Sequence, residues 1–250
     1  MAFDAESRKK LQIILLLGIV IAGGRAAWII YERHEAMKED NVPKQKAPMK
    51  ADNYVTPKKL HPYDLKSAQE LTKQPEWVKL GGQLTYYPYN RGLHKTEWAH
   101  EGGTLGPLEK IQITDVVMET SPKAPGTKQV MAVFEFYDKS RGEGKTYAVP
   151  IGAQKEGDLK IYSDDIFFME DPRELYKFWP ADVWKAIDGH QVQQGMSELQ
   201  ASFAMGMGVP TGSGDYGWRT LQYANNGKSV TVTFENDKAV EIKAGRNFPE

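Results

Sequence analysis

Between Glu76 and Met169 the chain is a succession of short apolar runs divided by turn residues, and this pattern constrains the fold more than any other feature. EWVKL, QLTYYPY, LEKIQITDVVM, TKQVMAVFEFYD, KTYAVPIG and IFFM are rich in β-branched and aromatic residues, with Gly, Pro or Asp between them. Several short strands at this spacing predict a small antiparallel barrel or curled sheet of the SH3-like kind over residues 76–170. The comparison is one of architecture, since no family motif occurs in the stretch.

The most apolar segment lies upstream, LLLGIVIAGGRAAWIIY from Leu15 to Tyr31. Arg8-Lys9-Lys10 directly precedes Leu11, and a helix from Leu11 to Tyr31 would rise roughly 30 Å, the thickness of a bilayer hydrocarbon core. Trp28 and Tyr31 stand at the far end, where interfacial aromatics belong. The pattern predicts a single transmembrane helix over 11–31 behind a cytoplasmic tail, 1–10. Ala22-Gly23-Gly24 resembles a signal-peptide cleavage site, but apolar character resumes from Ala26 to Ile30, which favours a retained signal anchor. A buried core helix is a third reading. Gly18, Ala22 and Ala26 form a ridge of small residues on which another membrane helix can pack. Arg25 would snorkel to lipid phosphate or meet a polar group of a partner helix. The basic block favours an N-in, single-pass protein of the bacterial inner membrane with a periplasmic C-terminal domain.

After the span, 32–75 reads as a polar stalk and a Pro/Lys linker, with Asp64 capping a short helix that ends before Pro75. Residues 171–190 read as two short helices, with Asp171 capping the first and Pro172 and Pro180 as starter residues. Over 191–250, Ser197 and Gln200 form a capping box for ELQASFAMG. Leu199, Phe203 and Met207 recur along one face of that helix. WRTLQYA, SVTVTFE and KAVEIKA follow as a meander, with Asn236-Asp237 at a hairpin turn and Val240 and Ile242 expected inward. The segment is thus an α+β unit of one helix and an antiparallel sheet.

Gly195-Met196-Ser197, the helix stop Gly208-Val209-Pro210, the strand bearing Trp218 and Tyr223, and the hairpin from Val230 to Val240 together resemble the BamE family (SmpA/OmlA-like). The resemblance covers residues 194–243 and implies a β-lactamase-inhibitor-type fold and a non-enzymatic, extracytoplasmic adaptor. The chain departs from that family in having no lipobox cysteine and a wider Trp218–Tyr223 spacing.

Composition removes several chemistries. A net charge of -1 with no basic stripe gives no case for nucleic acid. With Cys 0 there is no disulfide, thiolate zinc site, iron–sulfur cluster or c-type haem attachment. GSGDYG matches the glycine spacing of a dinucleotide fingerprint, but a helix precedes it and a strand follows, so no nucleotide is expected. GEGKT lacks the first glycine of a phosphate loop and leads into a strand. His94, Glu97 and His100 would share a face only if helical, and the flanking glycines argue for a surface loop, so no metal or other cofactor is expected. Asp164-Asp165 and Glu170-Asp171 read as turn and cap residues, and no serine or cysteine nucleophile motif occurs.

The partner-binding candidates are Tyr86, Tyr87, Tyr89, Trp98, Tyr216, Trp218 and Arg219, residue types that dominate interface hot spots, with a small aromatic core as the competing assignment for the tyrosines. The expectation is a membrane-anchored accessory or scaffold subunit, not an enzyme, with other membrane-protein subunits and the lipid bilayer as partners. The alternative is an anchored ligand-binding protein or enzyme using an aromatic barrel face.

Overall fold

A computed structural model describes residues 23–32, 55–79, 81–122, 125–224 and 229–245. The chain divides into two units, Met1–Ala51 and Asp52–Glu250. In the first, the described residues form one helix, 23–32, with every side chain exposed. Residues 11–22 of the predicted span lie outside the described residues. Among the described residues no helix is long and apolar enough to cross a membrane. This overturns the single-pass signal anchor, and the inner-membrane, periplasm-facing placement falls with it. Of the proposed membrane-packing residues, Arg25 and Ala26 sit exposed on this helix, while Gly18 and Ala22 lie outside the described residues.

The second unit is dominated by an antiparallel sheet of nine strands: β1 Glu76–Val78, β2 Thr85–Asn90, β3 Lys95–Thr96, β4 Gly103–Thr104, β5 Lys110–Thr120, β6 Thr127–Phe136, β7 Tyr147–Lys155, β8 Asp158–Ile161 and β9 Phe167–Phe168. Their order is β3-β2-β7-β6-β5-β1-β9, with β4 beside β2 and β8 beside β7. The expected small SH3-like barrel is therefore an open sheet. Its centre is a ladder of long strands of 11, 10 and 9 residues (β5, β6 and β7). Beyond β5 the sheet extends outward through β1 to β9, instead of curling back on β2.

Burial explains the length of these strands. On β6, Val130, Ala132, Phe134 and Phe136 enter the main core with Ile111, Ile113 and Val116 of β5. Met131 and Val133 point to the opposite face, against Tyr87, Tyr89 and Ala148. A strand covered on both faces reads as a continuous apolar run, which is how MAVFEF is written. The β5 alternation changes phase between Ile113 and Asp115, where the register shifts. This bulge keeps Val116 inward and turns Asp115 to a rim position, where it accepts from the amide of Gln69 at 2.9 Å. A short helix, Leu65–Ala68, and a 3₁₀ turn, Gln69–Lys73, close the main core with Ala68 and Leu71. Asp64 and Ser67 cap that helix reciprocally.

The C-terminal part packs helices Pro172–Leu175, Ala181–Asp188 and Glu198–Met205 against a four-stranded sheet. Its strands are β10 Val209–Pro210, β11 Thr220–Tyr223, β12 Val230–Glu235 and β13 Lys238–Ala244, paired in chain order. Tyr176, Trp179 and Phe203 form an aromatic knot with Phe168 of β9, so the two sheets share this packing. Asn236 and Asp237 adopt left-handed backbone, φ 49 and 55, as a two-residue hairpin turn requires. Val240 and Ile242 are exposed, contrary to the inward placement expected for them. The register shift between Thr233 and Phe234 pairs Phe234 with Ala239 and leaves Val240 as the extra residue of the bulge.

Ser197 caps the 198–205 helix through Gln200, whose backbone N–H donates to the Ser197 hydroxyl at 3.2 Å. Ser197→Ala is expected to lower stability by about 1 kcal/mol in urea denaturation, the usual worth of such a cap.

Candidate functional site

The C-terminal helix ends where it meets the large sheet. Gly206 takes φ 84, and a Cβ there would lie 2.2 Å from the Gly81 carbonyl oxygen. The next amide, Met207 N–H, donates to that same oxygen at 3.0 Å. Only glycine allows this approach, which fastens the helix end to the loop after β1. Gly208 has a similar constraint on its other side, where a Cβ would come within 2.9 Å of the Tyr223 ring and of Leu221.

These contacts leave a cleft of about 510 Å³ between the 198–205 helix, β11 and the end of the large sheet. Leu199, Ser202 and Phe203 form its helical wall, and Leu221 and Tyr223 its strand wall. Phe168 and Lys79 close it from the large sheet, with Pro57, Met207, Pro210 and Tyr216 at the remaining edge. The volume and mostly apolar wall match the dimensions of a small-ligand site. The rim is exposed: Met207 by 43%, Tyr216 by 57%, and the neighbouring Trp218 by 60%.

The charged groups of the wall divide into an engaged pair and a lysine without a salt bridge among the described residues. Glu198 accepts from the backbone N–H of Gly217 at 3.0 Å and from Nε of Arg219 at 3.1 Å, and also binds the Arg219 terminal nitrogen. That hydrogen bonding raises the Arg219 pKa still further above its usual value. Lys79 forms no salt bridge among the described residues, and its ammonium stands 5.4 Å from the centre of the Phe168 ring. Burial draws its pKa below the ordinary lysine value, and Asp165 opposes the shift in part. The Tyr223 hydroxyl is buried with no hydrogen-bond partner among the described residues. Burial pushes its pKa upward, so it remains a protonated donor.

The seven proposed partner-binding residues separate. Tyr86 is buried in the main core, edge-on to Phe134, Phe136 and Tyr147 at 5.0 to 5.9 Å between ring centres. Tyr87 and Tyr89 are buried on the opposite face of the sheet, with Trp98 half-buried against Tyr87. The three tyrosines are buried packing residues, and Trp98 covers Tyr87 with part of its surface exposed. Tyr216, Trp218 and Arg219 lie instead on the loop that rims the cleft. Phe168 and Lys79 carry no site signal in the sequence, and Tyr223 stands out there only as a strand residue of the BamE-like pattern, not as a site residue. The Leu199, Phe203, Met207 stripe gave a signal that reads equally well as core. His94, Glu97 and His100 are exposed on turns, and no group of three metal-ligating side chains occurs among the described residues. Gly212, Gly214 and Gly217 belong to the loop between β10 and β11.

One further titratable group is unusual. Glu76 on β1 is fully buried, and neither carboxylate oxygen has a hydrogen-bond partner among the described residues. Burial pushes its pKa up to about 8, with Gln74 and Lys58 opposing in part. The Gln74 amide nitrogen is committed to the Met169 carbonyl at 2.6 Å.

Comparison with protein-family models, with curated proteins and with solved structures finds no match for this chain. The resemblance of residues 194–243 to the BamE family thus rests on their cap, turn and strand residues alone.

Proposed function

We propose that this chain works by binding and not by catalysis, and that it binds an apolar group in the cleft between the 198–205 helix, β11 and Phe168. The observation that carries this reading is an apolar cleft of about 510 Å³ with exposed Met207 and Tyr216 at its edge. Exposed aromatics around a concave apolar surface are what a binding site requires, and they burden a surface without that role. Two features favour binding over catalysis. The strongly shifted carboxyl, Glu76, is sealed from solvent, and the Glu198–Arg219 pair is engaged internally. The accessory-subunit role expected from the sequence narrows here to its binding half.

A neutral environment-sensitive dye tests the reading. It is expected to bind one per chain at micromolar concentration, with a blue-shifted emission. Ser202→Trp, which places an indole in the cleft from the helical wall, is expected to weaken binding at least tenfold while the far-UV circular dichroism stays unchanged. Equal dye binding by the folded Ser202→Trp variant would overturn the assignment of the cleft.

A further inference from the structure

Among the described residues the cleft wall holds two side-chain donors without a hydrogen-bond partner, while its Glu198 and Ser202 side chains are engaged. Glu198 is saturated by Gly217 and Arg219, and the Ser202 hydroxyl donates to the Leu199 carbonyl at 2.7 Å. The ammonium of Lys79 and the hydroxyl of Tyr223 remain. The Lys79 backbone N–H donates to the Ile166 carbonyl at 2.7 Å, which holds the residue beside Phe168 and keeps its charge at the apolar wall. A half-buried cation with no direct ion pair among the described residues, and only the more distant Asp165 and Asp164 opposing its desolvation, carries a cost that an anion arriving with the ligand would offset. One cation and one hydroxyl match a group with a single negative charge. A phosphate, with charge approaching −2 and three oxygens, calls for a guanidinium or a row of backbone N–H groups. The cleft's guanidinium, Arg219, is already committed to Glu198. A peptide in this cleft would bury its own N–H and C=O groups against hydrocarbon, whereas an alkyl chain buries none.

We infer that the cleft binds a single-chain aliphatic carboxylate of medium length, with hydrocarbon against Leu199, Phe203 and Leu221 and with Lys79 as counter-charge to the head. Tyr223 supplies a second donor. This inference rests on the binding role proposed above. The ligand enters as the ionised acid, and the complex forms by hydrophobic burial plus one charge-assisted hydrogen bond.

Calorimetric titration of the whole chain with decanoate and decanol, below their aggregation thresholds, separates the two readings. Decanoate is expected to bind one per chain and at least tenfold more tightly than decanol. Lys79→Met is expected to erase that preference while leaving decanol affinity within twofold, and Lys79→Arg to preserve it. Tyr223→Phe, which keeps the ring, is expected to weaken decanoate more than decanol. If both ligands bind equally, or Lys79→Met weakens both alike, the carboxylate inference fails and the apolar cleft stands. If neither binds and the dye does not bind, the cleft reading itself fails. Displacement of decanoate by a short peptide with an apolar C-terminal residue, at lower concentration than decanoate itself requires, would overturn the aliphatic ligand in favour of a peptide terminus.

Discussion

Glu76→Gln is expected to make the protein more stable by about 3 kcal/mol at pH 7 and to remove a pH dependence that the native chain carries between pH 4.5 and 8. The Glu76 carboxyl is fully buried on β1, without a hydrogen-bond partner among the described residues, and its pKa is pushed up to about 8 from 4.5. The folded chain therefore keeps this proton in a range where the unfolded chain has released it. Stability from this group is greatest below pH 4.5, declines by about 1.4 kcal/mol per pH unit, and levels off above pH 8. Glutamine fills the same space with no charge to ionise. Glu109, half-buried and shifted upward by desolvation, has the same sign, but it is unchanged in the variant and cancels in the difference. Urea midpoints at half-unit steps from pH 4.5 to 8.5 give the measurement. The two proteins should converge at the acid end and separate steadily toward pH 8, and parallel profiles across that interval would refute the account.

Glu76 also illustrates what was legible in the sequence and what was not. Period-two alternation puts Glu76 on the same face as Val78, and Val78 is core. Read by residue type, glutamate belongs outside, and residue type and periodicity conflict at this position. Local devices were plain: the Asp64, Asp171 and Ser197 caps and the Asn236-Asp237 turn each act within four residues, and each occurs where its chemistry indicates. Non-local pairing was not. Val78 pairs with Phe167 and Trp77 with Phe168, and no property of either segment names the other. The open sheet, instead of a barrel, follows from that pairing, as does the meeting of Lys79 and Phe168 at one wall of the cleft. The loop from Gly208 to Arg219 stood out in the sequence for its exposed aromatics and glycines, and it forms the rim. The tyrosines of YYPY carried the same aromatic signal and are packing residues, because β6 is apolar on both faces and needs a cover on each. Of the apolar run over 11–31, residues 11–22 lie outside the described residues, and 23–31 belong to the helix described over 23–32.

Glu198→Ala is expected to cost about 3 kcal/mol, because it breaks a junction that ties three segments together. The Glu198 carboxylate begins the 198–205 helix, where the helix dipole favours negative charge. It is 4% exposed and holds the Gly217 N–H and the Arg219 guanidinium. Its own backbone N–H donates to the carboxylate of Asp237 at 2.9 Å, and the Asp237 N–H donates to the Gly217 carbonyl at 2.8 Å. Helix start, cleft rim and β12–β13 turn are therefore one network. Alanine leaves a buried amide and a cation unpaired, while Glu198→Gln keeps an acceptor and should lose about half as much. Arg219→Met strands the carboxylate in a buried site and should cost a similar amount. The double variant Glu198→Leu/Arg219→Met removes both charges and replaces them with hydrocarbon, so it is expected to lose less than either single charge deletion. Denaturant midpoints of wild type, Glu198→Leu, Arg219→Met and the double at pH 7 form the cycle. A coupling energy of at least about 3 kcal/mol is expected, since the double should lose less than either single. Additive losses would mean that Glu198 and Arg219 contribute independently, and the network would then not set the shape of the rim.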